Sequence, residues 1–394
     1  MRERLLFIYN PNAGKAKMKA KLSDIVVEFS ENGYEVIVMP TAKHGDAAEF
    51  AKEYAEHGAC SRIVCAGGDG TLNEVVTGVM KSGRRIPIGY IPAGTTNDFG
   101  YSLKIPKDMV EAAKFAALEE PVPSDVGEIC GNTFVYTAAF GLFSDVSYDT
   151  PQDMKNILGR VAYLLRGVKS IVEVQNYVLK VKYLAAEEDV ERAEQGAPEL
   201  TQHTPSGADS WEQAKDMPES ADARRQTEDV GGDKDTKKQT ENIGEAGDMR
   251  RQTEDADETT DMQEPKENFT QAQPQTGSWR QLEGEFICGM VANSNSVGGF
   301  KGIMGKGVRF DDGVFEMLFI RRPRNVIELT EIVNELISKK LKSDNIVYAH
   351  VREVEIEANG ELPWSLDGEF GGDMPQAKIH IRQQAVDYIR KESE

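Results

Sequence analysis

Apolar and polar residues alternate along the first 123 residues in a pattern that predicts strands separated by helices. Four short apolar runs have the length of buried strands: 5–9, 34–39, 62–66 and 86–91. Three amphipathic stretches predict helices: 15–30, 46–57 and 72–80. This rhythm predicts an α/β domain with a mostly parallel sheet, whose ligand-binding loops lie at the carboxyl ends of the strands.

From about residue 124 the pattern changes to strand-like runs with little helix. The runs are 125–130, 133–139, 177–183, 285–293, 314–320, 347–358 and 378–381. Helical stretches are predicted at 155–172 and 326–340. Many short strands of this kind predict a C-terminal antiparallel β domain, a β-sandwich or partial barrel.

The segment 187–280 fits neither pattern. It holds 25 Asp or Glu and 11 Lys or Arg, a net charge of -14, and the other 300 residues carry only -6 of the total of -20. Its five Ile, Leu, Val or Phe residues are too few to bury a core. We therefore expect an acidic disordered insert that expands a hairpin loop.

A weak repeat lies within this insert. The sequence RRQTED at 224–229 recurs as KKQTEN at 237–242 and as RRQTED at 250–255, each copy starting 13 residues after the last. Replication of a tolerated linker explains the repeat better than a docking motif does, and the lack of an apolar stripe argues against a solenoid. The predicted organisation is an α/β domain at 1–123 and a β domain at 124–186 with 281–394. We expect the final residues of the β domain to pack back on the first domain.

Charge and hydropathy exclude several classes of protein. The acidic balance argues against binding of nucleic acid through a broad basic face. The mean hydropathy is -0.48, and no apolar run approaches the roughly 18 residues of a transmembrane helix. The first residues lack the layout of a secretory leader, so we expect a cytoplasmic protein with reduced cysteines.

The strongest chemical motif is GGDGTLNE at 67–74, which follows an apolar strand and opens a predicted helix. Its glycines allow a close approach of the backbone to a ligand, and free N–H groups at a helix start suit phosphate. Two further polar, glycine-bearing loops follow predicted strands, NPNAGK at 10–15 and PAGTTNDFG at 92–100, and Thr41 ends another strand. We expect all four to meet at one rim of the sheet.

These motifs together resemble the soluble diacylglycerol kinase family of bacteria, lipid kinases related to sphingosine kinases. The matching pieces are NPNAG at 10–14, GGDGTLN at 67–73, PAGTTND at 92–98, LDGE at 366–369, SYDTP at 147–151 and FDDG at 310–313. The resemblance covers essentially the 300 residues outside the insert. The GGDG core is also shared with NAD kinases and phosphofructokinases, so it indicates the fold of the first domain more firmly than the substrate.

The resemblance implies that residues 1–123 bind ATP and that the β domain binds a lipid. The implied ATP contacts are Asn10, Pro11, Asn12, Ala13, Gly14, Thr41, Gly67, Gly68, Asp69, Gly70, Thr71, Leu72, Asn73 and Thr95.

The resemblance also implies a catalytic base at Asp367, with Glu369 beside it and Asp125 nearby. A carboxylate is needed to take the proton from an alcohol as it attacks the γ-phosphorus. Without the family pattern, the LDGE sequence would be interpreted as a tight hairpin turn. Which of Asp367 and Glu369 takes the proton is left open.

A structural magnesium site is implied at Asp312, with the backbone carbonyls of Arg309 and Val314. Three oxygens on one turn suit a hard cation, with waters completing the shell. From the residues alone, a β-turn without metal is the better interpretation.

The implied activity is ATP- and Mg²⁺-dependent phosphorylation of the primary hydroxyl of diacylglycerol to phosphatidate, in phospholipid metabolism. The alternatives are a kinase for another lipid or small alcohol (sphingosine, monoacylglycerol), an NAD kinase, or a non-catalytic nucleotide- or lipid-binding protein. Basic residues at 155–169, 321–324 and 339–342 are consistent with peripheral contact with the inner face of the membrane, although solvated helix faces and caps explain them slightly better. A homodimer and the partner of the acidic insert are left open.

Overall fold

The computed structural model describes residues 2–94, 97–141, 175–186, 277–298, 300–302, 304, 308–341 and 343–391. By contacts the chain divides into one unit of Met1–Thr204 with Thr276–Glu394 and a second of Pro205–Gln275. All described residues belong to the first unit. The predicted helix at 155–172, the SYDTP motif, Thr95 and nearly all of the acidic insert lie outside the described residues.

Four parallel strands form the sheet of the first half: β1 (Glu3–Tyr9), β2 (Tyr34–Pro40), β3 (Arg62–Gly67) and β4 (Ile88–Pro92). β1 pairs with β2 and β3, and β3 pairs with β4, so the order is β4-β3-β1-β2. The helices that follow β1, β2 and β3 are α1 (Lys17–Glu31), α2 (Asp46–Glu56) and α3 (Asp69–Lys81). The predicted α/β arrangement is confirmed.

Two helices after β4 were not predicted. α4 (Asp98–Ser102) has only five residues, too few to show a period. α5 (Met109–Leu118) contains a run of small alanines instead of a stripe of large apolar residues. The Asp108 carboxylate starts α5 by accepting hydrogen bonds from the N–H groups of Val110 and Glu111, at 2.9 and 3.2 Å.

The second half is rich in antiparallel strands, as predicted. They are β5 (Pro121–Ile129), β6 (Asn132–Phe134), β7 (Thr137–Gly141), β8 (Tyr177–Ala185), β9 (Ser278–Ala292), β10 (Ser296–Val297), β11 (Phe300–Lys301), β12 (Phe315–Arg321), β13 (Ile346–Ala358), β14 (Pro363–Leu366), β15 (Glu369–Asp373) and β16 (Gln376–Ile389). Helix α6 (Val326–Ser338) joins β12 to β13. The predicted strand at 133–139 is interrupted at residues 135 and 136.

One sheet runs through both halves, in the order β15-β14-β7-β9-β12-β13-β16-β4-β3-β1-β2. β16 makes the junction, since it pairs antiparallel with β13 and β5 and then meets β4 in parallel at Tyr388 and Ile88. Its last residues therefore lie beside the parallel sheet. The domain boundaries at 123 and 124 stay a prediction.

The core has two parts that meet near the junction. The first lies under the helices of the parallel sheet and continues beneath α6, and the second lies among the strands of the other half. Phe99 of α4 makes ring contacts with Tyr136, Phe310 and Tyr388, with centroids 5.4–6.1 Å apart. One aromatic side chain from the first half is thus packed against three from the second, which stabilises the contact between the halves.

The hairpin that carries the insert is present as predicted. β8 and β9 pair antiparallel from Tyr177 opposite Phe286 to Ala185 opposite Ser278. The long connection between them therefore leaves and returns at adjacent positions of one ladder.

This geometry predicts that a two-residue turn can replace the insert. Joining Ala186 to Gly277 through Asn-Gly should keep the fold, since that dipeptide suits a tight antiparallel turn. Urea unfolding followed by circular dichroism should give a cooperative transition with a midpoint close to that of the full chain. A variant that unfolds without a cooperative transition would show that residues 187–276 are needed by the fold.

Candidate active site

Loops from three strands of the parallel sheet line one cleft of about 260 Å³ together with a residue of the second half. The lining residues are Asn10, Asn12, Thr41, Ala42, Lys43, His44, Gly70, Thr71, Glu74 and Glu369. Five of them are sequence-predicted nucleotide contacts, and Glu369 is a predicted catalytic residue. The structure thus brings these two predicted groups together at the carboxyl edge of the sheet, where α/β proteins bind ligands.

The loop after β1 is held tightly against the loop after β4. The Asn10 carboxamide accepts a hydrogen bond from the Asn12 N–H at 2.9 Å, which sets the turn. Gly14 has φ +60°, and a Cβ there would lie 2.8 Å from the carbonyl oxygen of Ala93. Glycine is therefore required at residue 14 both by the backbone conformation and by the close approach.

Helix α3 begins within the glycine motif, three residues earlier than predicted. Gly68 is the N-cap in an extended conformation, and Asp69 and Gly70 lie in the first helical turn. The N–H groups of Thr71 and Leu72 donate to the Gly68 carbonyl at 3.1 and 3.3 Å. Those of Asp69 and Gly70 have no partner among the described residues, and Gly70 lines the cleft. The side chain of Leu72 is fully buried, so this position can offer a ligand its backbone alone.

Asp69 lies among other acids. The Tyr90 hydroxyl donates to its Oδ1 at 3.4 Å. Burial, followed by the charges of Asp98 and Asp367, raises the pKa of Asp69 to about 7. This group of neighbouring acids would be stabilised by cations that accompany a ligand.

Asp367 is the most firmly held carboxylate of the site. Its Oδ1 accepts hydrogen bonds from the N–H groups of Tyr136 and Thr137, both at 3.0 Å. Its Oδ2 accepts from the Val135 N–H and from the Asn73 carboxamide, both at 2.7 Å. The side chain is buried, and burial outweighs these four donors and raises the pKa of Asp367.

The turn that carries Asp367 fits its sequence. Asp367 and Gly368 have φ +51° and +88°, and Leu366 pairs with Glu369 across them. An Asp-Gly pair with both φ values positive is the two-residue turn that matches the twist of a β-hairpin. The predicted hairpin and the predicted catalytic residue are therefore the same feature, and Glu369, on the return strand, lies against Gly70.

Glu74, the last residue of the glycine motif, was not among the predicted site residues. Its Oε1 accepts from the Gly45 N–H at 3.0 Å and contacts His44 Nδ1 at 2.9 Å, and its Oε2 accepts from the Ala47 N–H at 3.1 Å. These bonds attach the segment from Thr41 to His44, which lines the cleft, to helix α3. Because the partners are far away in sequence, the motif gives no signal of this role.

Asp125 lies beside the predicted metal turn, and its carboxylate is bonded there and not to Asp367 or Glu369. Its two oxygens accept hydrogen bonds from the N–H groups of Gly313 at 2.6 Å and Gln384 at 2.7 Å. Burial, with a smaller effect of the neighbouring acids Asp312 and Asp311, raises the pKa of Asp125 to about 7. The bonds of Asp125 join β5 to the turn at 311–313 and to β16.

The predicted metal turn places two acids close together. Asp312 Oδ1 accepts from the Val314 N–H at 3.1 Å, and burial raises the pKa of Asp312. The Arg309 guanidinium lies 3.8 Å from Asp311. Across the described residues, no three His, Cys, Asp or Glu side chains form a cluster that could hold a metal ion, so a cation at this turn would depend on backbone carbonyls.

Comparison with known proteins agrees with this geometry. The family model of the diacylglycerol kinase catalytic domain matches residues 4–129. A diacylglycerol kinase of Staphylococcus carnosus is 24% identical over 394 residues, which is 100% of this chain and 97% of that protein. The match of residues 4–129 indicates a kinase, an enzyme that transfers a phosphoryl group to an alcohol.

A second relative and a solved structure add to this. A diacylglycerol kinase of Staphylococcus aureus (strain MRSA252) is 38% identical over 183 residues, 46% of the kinase and 58% of that protein. The crystal structure of a diacylglycerol kinase from Bacillus anthracis str. Sterne has a TM-score of 0.63 at 20% identity, covering 99% of the kinase and 97% of that chain. The likeness to this solved structure establishes a shared fold. Within the part of the kinase that the structure describes, every helix is too short or too polar to cross a bilayer.

The raised pKa of Asp125 predicts how the stability of the kinase depends on pH. The folded chain keeps this carboxyl protonated up to about pH 7, whereas an unfolded chain releases the proton near pH 4. The free energy of unfolding should therefore fall as the pH rises through this interval. Urea unfolding in EDTA should show a shallower fall for Asp125→Asn than for the unaltered kinase. The exposed Asp24→Asn serves as control, and equal slopes for Asp125→Asn and the control would contradict the assignment.

Proposed function

We propose that the kinase transfers the γ-phosphoryl group of ATP to the primary hydroxyl of diacylglycerol and so forms phosphatidate. The observation that carries the proposal is the placement of Asp367 and Glu369. One is held by four hydrogen bonds beside the glycine motif, and the other lines the cleft against Gly70. An acidic pair beside unpartnered helix N–H groups suits transfer of phosphate to an alcohol.

ATP would lie in the cleft, with its phosphates at the first turn of α3. The residues that would hold it are Asn10, Pro11, Asn12, Ala13, Gly14, Thr41, Gly67, Gly68, Asp69, Gly70, Thr71, Leu72 and Asn73, with Thr95 from outside the described residues. The close approach between Gly94 and Gly68, where a Cβ on Gly94 would lie 2.9 Å from the Gly68 Cα, supports a ligand wrapped by backbone. Glu74 would keep the Thr41 side of the cleft in place.

The acidic pair would prepare the acceptor. As the hydroxyl oxygen bonds to the γ-phosphorus, the bond to the leaving diphosphate breaks and the hydroxyl proton passes to a carboxylate. Asp367 already accepts four hydrogen bonds, and Glu369 presents a freer carboxylate to the cleft. Both residues therefore take part, with Asp367 fixing the turn that presents Glu369. The role of Asp125 is to hold the 311–313 turn.

One Mg²⁺ ion would supply positive charge against the phosphates of ATP. A second ion, at the turn that contains Asp312, would neutralise acidic side chains. Asp312 with the carbonyls of Arg309 and Val314 is the proposed structural site. The chemistry fits, because the charge of the half-buried Asp312 raises the pKa of the buried Asp125, a situation that a hard cation relieves. We further propose that the strand-rich half is a β-sandwich that receives the lipid, and that the kinase acts in the cytoplasm at the membrane surface.

Asp367→Asn tests catalysis apart from binding. The variant keeps the shape of the side chain but loses the charge, so phosphatidate formation should fall by at least about 100-fold, the usual range for a catalytic acid or base. ATP binding measured by calorimetry should stay within about threefold, since Asp367 lies outside the cleft lining. Full activity in Asp367→Asn and in Glu369→Gln would overturn the proposed role of the pair.

Asp312→Asn tests the structural cation. Millimolar Mg²⁺ should raise the melting temperature of the unaltered kinase, because a ligand that binds only the folded state stabilises it. The rise should be lost in Asp312→Asn and kept in Asp373→Asn, an exposed control. A rise of equal size in both variants would show that the cation binds elsewhere.

A further inference from the structure

An exposed phenylalanine lies on the hairpin that carries the acidic pair. Phe370 of β15 is 75% exposed, more than any other large apolar residue in the described part of the chain. β15 ends the strand order of the sheet, next to β14. Gly371 and Gly372 follow it and offer no side chains that could cover the ring. Water therefore reaches most of an aromatic surface that folding would normally bury.

The fold fixes how far this ring can be from the reaction. Consecutive Cα atoms are about 3.8 Å apart, so the Cα atoms of Asp367 and Phe370 are at most about 11 Å apart. The turn between them is closed by the pairing of Leu366 with Glu369. Asp367 is also anchored through its own N–H, which donates to the Thr137 carbonyl at 2.9 Å. Phe370 therefore lies on the same anchored hairpin as the acidic pair.

A lipid acceptor would require this hairpin to lie at the surface of the bilayer. The hydroxyl of diacylglycerol lies at the surface of a bilayer, next to its acyl chains, and it must come within about 3 Å of a catalytic carboxylate. The exposed part of the hairpin must then meet the lipid at the same time.

We propose that Phe370 enters the lipid surface beside the acceptor and seats the catalytic hairpin on the membrane. The inference rests on the proposed function, because it takes diacylglycerol in a bilayer as the substrate. The occupant of this apolar surface is the acyl region of the lipid.

The charge of the hairpin supports an apolar contact over an electrostatic one. Residues 363–376 contain three acids, Asp367, Glu369 and Asp373, and no Lys or Arg. An anionic leaflet repels such a segment, so charge cannot draw the hairpin to the membrane. The attraction has to come from the ring, and it should persist at high salt, which screens only charges.

The experiment compares two acceptors and two exposed apolar positions. The acceptors are long-chain diacylglycerol in phosphatidylcholine vesicles and dihexanoylglycerol dissolved as single molecules. The variants are Phe370→Ser, Phe370→Leu and the control Ile327→Ser, whose side chain on α6 is 72% exposed.

Phe370→Ser should lower activity on vesicles by about tenfold. This factor corresponds to the free energy lost when most of one phenylalanine side chain no longer enters the lipid. Its activity on dihexanoylglycerol should be unchanged. Phe370→Leu should recover most of the loss, and Ile327→Ser should behave like the unaltered kinase on both acceptors. Equal losses on both acceptors would overturn the proposal in favour of a local structural role, and so would full activity on vesicles.

Vesicle flotation without ATP separates this inference from the proposed function. If the unaltered kinase phosphorylates neither acceptor, the proposed function fails. Binding to phosphatidylcholine–diacylglycerol vesicles can still be measured, and it should be weaker for Phe370→Ser at low and at high salt. Identical flotation of Phe370→Ser and the unaltered kinase would overturn the role of Phe370.

Discussion

The arrangement of the site depends on how the protein supplies hydrogen-bond donors to one buried carboxylate. Asp367 is taken out of water, and its charge is compensated by three consecutive backbone N–H groups at 135–137 and by the carboxamide of Asn73. A buried carboxylate without such donors would be very costly. Because Asn73 comes from the parallel half and the other donors from the antiparallel half, satisfying this one group brings both halves of the site together.

The same anchoring explains an irregularity of the fold. The strand predicted at 133–139 breaks between β6 and β7, and the residues at the break are those whose N–H groups turn towards Asp367. A regular strand directs successive N–H groups to opposite sides, so it could not give three of them to one carboxylate. The interruption is therefore part of the site.

The sequence was sufficient for features that depend on local pattern. Buried runs such as 5–9, the glycine motif and the Asp-Gly turn have signals within a few residues, and each lies where it was expected. The placement of Asp125 and the role of Glu74 depend on partners far along the chain, at Gln384 and Gly45. Helix α5 was missed because alanines carry little amphipathic signal. Tertiary contacts that cross between halves leave no such signal in one sequence.

The halves are also joined in ways that limit how the site can move. Asp98 Oδ1 accepts from the Ser296 hydroxyl at 2.6 Å, and the hydroxyls of Ser102 and Ser294 lie 2.8 Å apart, all buried. β16 continues the sheet across the same junction. Opening the halves like a hinge would break the sheet and expose these groups. The distance between the glycine motif and the acidic hairpin is therefore set by the fold, so under the proposed function the acceptor must come to the hairpin.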